Sequence, residues 1–295
     1  MPLPAADTEA RFAALTPEEL LPGVAELARR LGLTAAPERF ASGSLPVYSV
    51  GHDHVLKLFP ALHLSEVAAE RDVLAAVHGR LPAPTPELLG SGEFQGWGYV
   101  HMGRLHGDEV HLRWPLLGAA ERADLAHRVG ECLAALHEIP SPVAEPADWA
   151  AFTARQRAGC VERQRARGLA ERWVEQIPDF LDSVDLGAEP RVLAHTEVMG
   201  AHLLTSGGRL TGLFDFEPAM PAAREYEFVA TGVFLTRGDR AANRALLAGY
   251  GREVDPRRVM AYTLLHVCSN LPWYLREAPS RATTFDGLAQ DWFGG

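Results

Sequence analysis

Apolar and polar positions follow two different rhythms along this chain. From about residue 37 the runs ERFASGS, PVYSVG and HVLKLF alternate Val, Tyr, Leu and Phe with polar neighbours and are cut by glycine, which reads as short antiparallel strands. SEVAAERDVLAAVHG then changes to helical spacing, with Val67, Leu74 and Val77 as its apolar positions and Gly79 at its end. LPAPTPELLGSGEFQGWGYVHMGRLHG begins as a proline-punctuated connector and continues as two further strands, over 87–94 and 97–103. Ahead of all this, TPEELLPGVAELARRLG predicts a leading helix: Thr16 as N-cap, Pro17 at the first helical position, Glu19 closing a capping box and Gly32 near the stop.

Past Gly103 to Gly107 the rhythm becomes mostly helical. Amphipathic stretches predict helices over 119–138, 148–167, 169–184, 224–236, 239–250 and 255–276. A hairpin interrupts them, with HLLT and RLTGLFDF joined at Ser206-Gly207-Gly208. The order of elements defines an α+β protein with an N-terminal lobe over 1–103, a small five-strand sheet with one helix behind a leading helix, and a mainly helical C-terminal lobe over 104–295. No internal repeat or low-complexity tract interrupts either part.

Composition narrows the classes. With 295 residues, 47% hydrophobic and 22% charged, the chain can bury a core without a disulfide or metal staple and is neither disordered nor a membrane bundle. No apolar run reaches the roughly 18 residues of a membrane span, and MPLPAADTEARF is acidic where a signal peptide is basic and then apolar, so the expected compartment is the cytoplasm. Cys132, Cys160 and Cys268 are far apart and form no CxxC motif, which predicts reduced core thiols. A net charge of -10 argues against a nucleic-acid partner and permits a cationic small molecule.

One residue stands out against the arginine bias. Of the 28 Lys plus Arg, only Lys57 in HVLKLFP is lysine. A lone lysine marks a position where a compact ammonium on a flexible stem does what a planar guanidinium fork cannot.

The surroundings of Lys57 suggest what that is. A glycine-containing β-turn-β, a strand lysine, a helix glutamate, a two-strand connector, helices, then a polar loop and a hairpin ending in Asp-Phe follow one another in that order. Over about residues 37–275 this layout resembles the aminoglycoside phosphotransferase family, a branch of the two-lobed protein-kinase-like fold that includes hygromycin, choline and homoserine kinases. The resemblance implies that Lys57 binds nucleotide phosphates and pairs with Glu70 on the following helix, with Glu66 one turn earlier as the alternative. It also implies a phosphate-covering hairpin at Gly43, Ser44 and Gly51, and a purine-contacting strand at His101, Met102 and Gly103.

The loop His195-Thr196-Glu197-Val198-Met199-Gly200-Ala201-His202 is similar to the family's His-Gly-Asp-Leu-His-x-x-Asn, followed here as there by two aliphatics. The alignment implies that His195 braces the loop, Glu197 takes the place of the catalytic aspartate and His202 that of the metal-binding asparagine. Asp215 in GLFDF, thirteen residues past His202, matches the aspartate that holds magnesium. Glu227 falls where the family carries a structural helix-start aspartate.

Two of these positions are departures. A glutamate carries its carboxylate about one methylene farther than aspartate, and a displacement of about 1 Å can cost on the order of 100-fold unless the backbone adjusts. Phosphoryl transfer rests mostly on positioning and charge, so a glutamate base is chemically reasonable. An imidazole at 202 suits manganese or zinc better than magnesium; it implies a softer metal, a lost metal position or a direct phosphate contact.

The resemblance therefore implies an ATP- or GTP-dependent small-molecule O-phosphotransferase using Mg2+, or Mn2+ if His202 is a ligand. Its acceptor would be aminoglycoside-like or another small polar compound, as in antibiotic resistance. Candidate acceptor residues are Glu225, Glu227, His266, Asn270, Trp273 and Tyr274 in the C-terminal helices. The competing reading is a pseudokinase-like binding protein without turnover. A zinc deaminase read from His195, Glu197 and His202 lacks the PCxxC that would complete its ligands.

Overall fold

The alternating runs near the N-terminus form one antiparallel sheet in the computed structural model, which describes residues 2–144, 148–187 and 190–295. Its strands are β1 (Pro37–Arg39), β2 (Val47–Val50), β3 (His54–Phe59), β4 (Leu88–Phe94) and β5 (Trp97–Gly103), in the order β1-β2-β3-β5-β4. They belong to the first of two compact units, made of Met1–Arg80, Pro84–His106 and Phe214–Pro218.

β3 is central and covered on both faces, so its alternation separates two environments. Leu56 and Leu58 join a core with Leu20, Val24 and Leu27. Those three come from the leading helix α2 (Pro17–Arg30), which the shorter α1 (Glu9–Ala14) precedes. Lys57 points to the other face, where α3 (Leu64–Val77) buries Glu70, Val73, Leu74 and Val77. The capping box of α2 forms as its sequence predicts: Glu19 N–H donates to Thr16 Oγ1, and the Glu19 carboxylate accepts the Thr16 N–H at 2.9 Å. Periodicity does not mark α1, because that helix buries no residue and so carries no apolar stripe.

The second unit comprises Leu81–Ala83, Gly107–Leu213 and Ala219–Gly295. A three-stranded sheet is formed by β6 (Asp108–Glu109), β8 (Leu203–Ser206) and β9 (Arg209–Leu213), and a separate pair by β7 (Val192–Ala194) and β10 (Met220–Ala222). Gly207 and Gly208 turn the β8–β9 hairpin with φ of 56° and 75°, the two positive values a two-residue turn of this kind needs.

The helices begin with α4 (Val110–Arg113) and α5 (Ala119–Leu136), then continue as α6 (Trp149–Ala158), α7 (Cys160–Ala166), α8 (Glu171–Val174) and α9 (Ile177–Ser183). After the sheets come α10 (Arg224–Ala230), running into a π-helical turn at Thr231–Thr236, then α11 (Arg240–Tyr250), α12 (Pro256–Leu265), α13 (Leu271–Glu277) and α14 (Phe285–Phe293). α5 and α11 meet backbone to backbone. A Cβ on Gly130 would lie 2.0 Å from Leu246 O, and one on Gly249 would lie 2.0 Å from His127 O.

Three long helices expected from periodicity are broken. The stretch 148–167 divides at Gly159, and 169–184 divides ahead of Ile177-Pro178. The stretch 255–276 stops at His266, whose ψ is 144°, and restarts where Asn270 caps α13 by accepting the Trp273 N–H at 3.2 Å. Asn270 followed by Pro272 carries that start signal in the sequence. α14 lies beyond the last element expected. Cys132 and Cys160 are buried free thiols as expected, whereas Cys268, in the break between α12 and α13, is exposed. Among the described residues no helix is long and apolar enough to cross a membrane.

Candidate active site

Alternation along β3 and helical spacing along α3 bring Lys57 and Glu70 together. Lys57 Nζ donates to Glu70 Oε2 at 2.8 Å, and the pair is almost wholly buried. Glu66, the alternative partner, faces elsewhere and takes His63 Nδ1 at 2.7 Å. The segment after β9 completes the cluster from the same unit: Lys57 Nζ also contacts Asp215 Oδ1 and lies 2.7 Å from Glu217 Oε2.

Phe216, fully buried, anchors the turn between the two acids, and its N–H donates to Glu70 Oε1 at 3.3 Å. Asp215 itself is held at φ 73°, a left-handed conformation that aspartate tolerates better than most residues. Glu70 thus binds both the lysine and the turn that carries Asp215.

One ammonium among three carboxylates leaves a net charge of about -2 when all are ionised. Burial alone would lower the Lys57 pKa, but Glu70, Asp215 and Glu217 together push it well above the ordinary lysine value. Burial raises the pKa of Glu70 and of Glu217, against the opposing pull of Lys57. Ligand oxygens of Glu70, Asp215 and Glu217 lie within 4.8 Å of one another. Such an all-oxygen, excess-negative donor set fits a hard divalent cation. Sequence reasoning misses Glu217; its signal is an acid two residues after Asp215, returning to the same side of a buried aromatic.

The other expected nucleotide residues are placed less directly. Gly43 and Ser44 sit in an exposed loop between β1 and β2, with Gly43 at φ 110°. His101 and Met102 lie inside β5, paired with β3 on one side and β4 on the other. The Gly103 N–H donates to Glu87 O at 2.8 Å.

In the second unit, the loop after β7 is braced from beneath by a buried carboxylate. Glu227 Oε2 on α10 accepts the His195 N–H at 2.6 Å. His137 Nε2 lies 3.6 Å from the same oxygen, and its Nδ1 is 2.8 Å from Tyr250 Oη. No local pattern singles out His137 or Tyr250, because α5 and α11 approach Glu227 only in three dimensions.

Within the loop, His195 Nδ1 accepts the Glu197 N–H at 3.4 Å. His202 Nδ1 lies 2.8 Å from the Glu197 carbonyl oxygen, which can only accept. His202 therefore carries its proton on Nδ1, and its neutral form presents the lone pair on Nε2, the orientation a metal-binding imidazole takes. Thr196, at the family's glycine position, has φ 70°. Its β-branched side chain thus occupies backbone space that glycine enters without strain.

The acceptor candidates divide by burial. Glu225 and Glu227 are buried, Glu225 at 3.7 Å from Arg258. His266 is buried and stacks on Tyr226 with ring centroids 4.6 Å apart; burial pulls its pKa down to about 4. Asn270 serves as the cap of α13, and the Tyr274 hydroxyl donates to Cys268 O at 3.0 Å. Trp273 is the exposed member, packed on Phe234 at 4.7 Å between ring centroids.

The sequence profile of the Phosphotransferase enzyme family matches residues 37–262, and the chain belongs to that family. Solved structures place it among kinase-like folds. The apoenzyme of the macrolide 2'-phosphotransferase MphH from Brachybacterium faecium is similar with a TM-score of 0.63 at 19% identity, covering 94% of this chain and 98% of that one. The gentamicin complex of APH(2'')-IIa matches with a TM-score of 0.62 at 13% identity, covering 94% and 95%. Aminoglycoside phosphotransferase APH(3'')-Id from Streptomyces rimosus, in complex with ADP and streptomycin, matches with a TM-score of 0.61 at 16% identity, covering 82% and 96%. At these identities the likeness is one of fold. No curated protein sequence matches the chain.

Proposed function

We propose that this chain transfers the γ-phosphoryl group of ATP or GTP to a hydroxyl of a small-molecule acceptor. The observation that carries this reading is the buried cluster of Lys57 with Glu70, Asp215 and Glu217. So much negative charge around one lysine has little structural justification, since buried ion clusters stabilise poorly. It fits a site that takes up a divalent cation and phosphates.

In this reading Lys57 holds nucleotide phosphates, Glu70 orients Lys57, and Asp215 with Glu217 would hold Mg2+ or Mn2+. His202 Nε2 is a further candidate ligand. The bound metal would supply positive charge to the transferring phosphoryl group. Glu197 orients the acceptor hydroxyl and receives its proton, while the Glu227 contact to His195 keeps the loop in place.

The acceptor would be an aminoglycoside-like or other small polar compound, met by residues of the C-terminal helices. In the segment from His266 to Glu277, Val267 and Trp273 are exposed at 50% and 39%. Cys268 lies close enough to Glu197 that the carboxylate, after burial, raises its thiol pKa. Tyr226 and Tyr274 likewise lie within electrostatic reach of the candidate base.

The test is a nucleotide-consumption screen over macrolides, aminoglycosides, choline-like amines and sugars, run with wild type and Glu197→Ala. Turnover with one acceptor class, abolished by Glu197→Ala while nucleotide binding persists, is the expected result. Nucleotide binding with no turnover across the panel would replace the reading with a binding protein.

A further inference from the structure

Away from the Lys57 cluster, the turn after β2 and the chain leaving β5 bring three metal-ligating side chains together. His52, Asp53 and His106 each place a ligand atom within 4.8 Å of the other two. His52 Nδ1 is 2.7 Å from Asp53 Oδ1. The His52 and His106 rings stack at 4.3 Å between centroids with 23° between planes.

The backbone holds these groups together without help from their side chains. The Arg104 N–H donates to Asp53 O at 2.8 Å, and the Arg104 guanidinium reaches Gly51 O at 3.3 Å. Gly51, at φ 67°, provides the turn. The segments 51–53 and 104–106 are therefore fixed side by side, and all three residues lie in the first unit.

We propose that His52, Asp53 and His106 form a surface site for a borderline-soft divalent cation of the Zn2+ class, separate from the nucleotide's metal. Two imidazoles and one carboxylate are the donor set that selects zinc, cobalt or nickel over magnesium and calcium. Ligands around tetrahedral zinc lie about 3.3 Å apart for bonds of about 2.0–2.1 Å, so rotation of exposed side chains suffices to close the set. With three protein ligands, a fourth position stays open to water or an added ligand. Bound there, the metal ties the β2–β3 turn to the exit of β5.

The chemistry separates this site from the other one. Asp215 and Glu217 offer oxygens only, beside a lysine ammonium. Three exposed ligands also make for micromolar rather than structural-zinc affinity, because solvent and protons compete for each of them.

The experiment uses the full chain without a histidine tag, dialysed against chelator and titrated with Zn2+ by calorimetry in the presence of excess Mg2+. One Zn2+ per chain is expected, with a rise in melting temperature. Co2+ in its place should show the visible absorption of a low-coordinate site. His52→Ala, Asp53→Ala and His106→Ala should each weaken Zn2+ binding by at least about 10-fold, whereas Asp215→Ala should leave it intact. Absence of stoichiometric binding, or binding that survives His106→Ala, or binding lost in Asp215→Ala, would overturn the assignment. The last outcome would mean that zinc enters the nucleotide's metal site. None of these results depends on phosphate transfer, so the site and the proposed activity stand or fall separately.

Discussion

Glu227 Oε2 accepts the main-chain N–H of His195 at 2.6 Å, with both residues shut off from solvent. Through that one bond α10 holds the start of the loop bearing Glu197. Glu227→Ala removes the carboxylate that accepts this buried N–H, at a cost of about 1–3 kcal/mol before the lost packing is counted. Phosphate transfer should fall sharply while nucleotide affinity, which the proposed function assigns to Lys57 in the other unit, stays unchanged. Urea denaturation, turnover and nucleotide titration on one preparation test this; a parallel loss of nucleotide binding would contradict it.

Lys57→Ala removes the ammonium that Glu70, Asp215 and Glu217 share in the buried cluster. Breaking such a pair from one side costs about 3–5 kcal/mol where the remaining charges stay buried. The variant should be less stable and lose nucleotide affinity. Lys57→Arg should fail to restore binding, because the fork cannot occupy a point-charge position among three carboxylates. Nucleotide titration by calorimetry separates the outcomes, and full affinity in either variant would remove Lys57 from the site.

Thr196→Gly should raise stability. A β-branched residue at φ 70° carries roughly 1–2 kcal/mol of backbone strain, and the added freedom of unfolded glycine returns only about 0.5–1 kcal/mol of that. A net gain of about 0.5–1 kcal/mol should appear as a higher denaturation midpoint. A loss would mean that contacts of the threonine side chain outweigh the strain.

His266 makes stability depend on acid. Its pKa is near 4 in the folded chain, because burial disfavours the imidazolium, against an ordinary value of 6.5. Between those values the unfolded chain binds more protons, so stability rises with pH through this window and is lost as pH falls from about 6.5 towards 4. The full span is worth about 3 kcal/mol. Denaturation midpoints measured across the window should fall less steeply for His266→Gln than for wild type; identical slopes would assign the acid loss to other groups.

Gly130→Ala tests the contact of α5 with α11. Its Cβ would meet a main-chain oxygen at 2.0 Å, so the helices must move apart, at about 3 kcal/mol or more. A near-neutral substitution would show that the helices can part cheaply.

Local order is legible in the amino-acid sequence by itself. Period-two alternation around HVLKLF marks a strand, and the Thr16, Pro17 and Glu19 signals mark a helix start, because caps and alternation act between near neighbours. The resemblance carried by Lys57, Glu70 and Asp215 adds the fold. Alternation alone also separates Lys57 from Leu56 and Leu58, since successive strand residues must face opposite sides. The restart of α13 is signalled by Asn270 and Pro272, whereas the break at Gly159 is hidden, because a single glycine does not by itself end a helical pattern.

What the tertiary structure decided was convergence. That Glu70 and not Glu66 meets Lys57 depends on the rotation of α3 over the sheet, and Glu217 joins them because buried Phe216 turns the chain back. His137 reaches Glu227, and Tyr250 reaches His137, only through the packing of α5, α10 and α11. His106 meets His52 because the Arg104 N–H and guanidinium tie that segment to the β2–β3 turn. Strand and helix signals arise from neighbours a few residues apart, whereas a site is assembled by contacts whose partners no local pattern specifies.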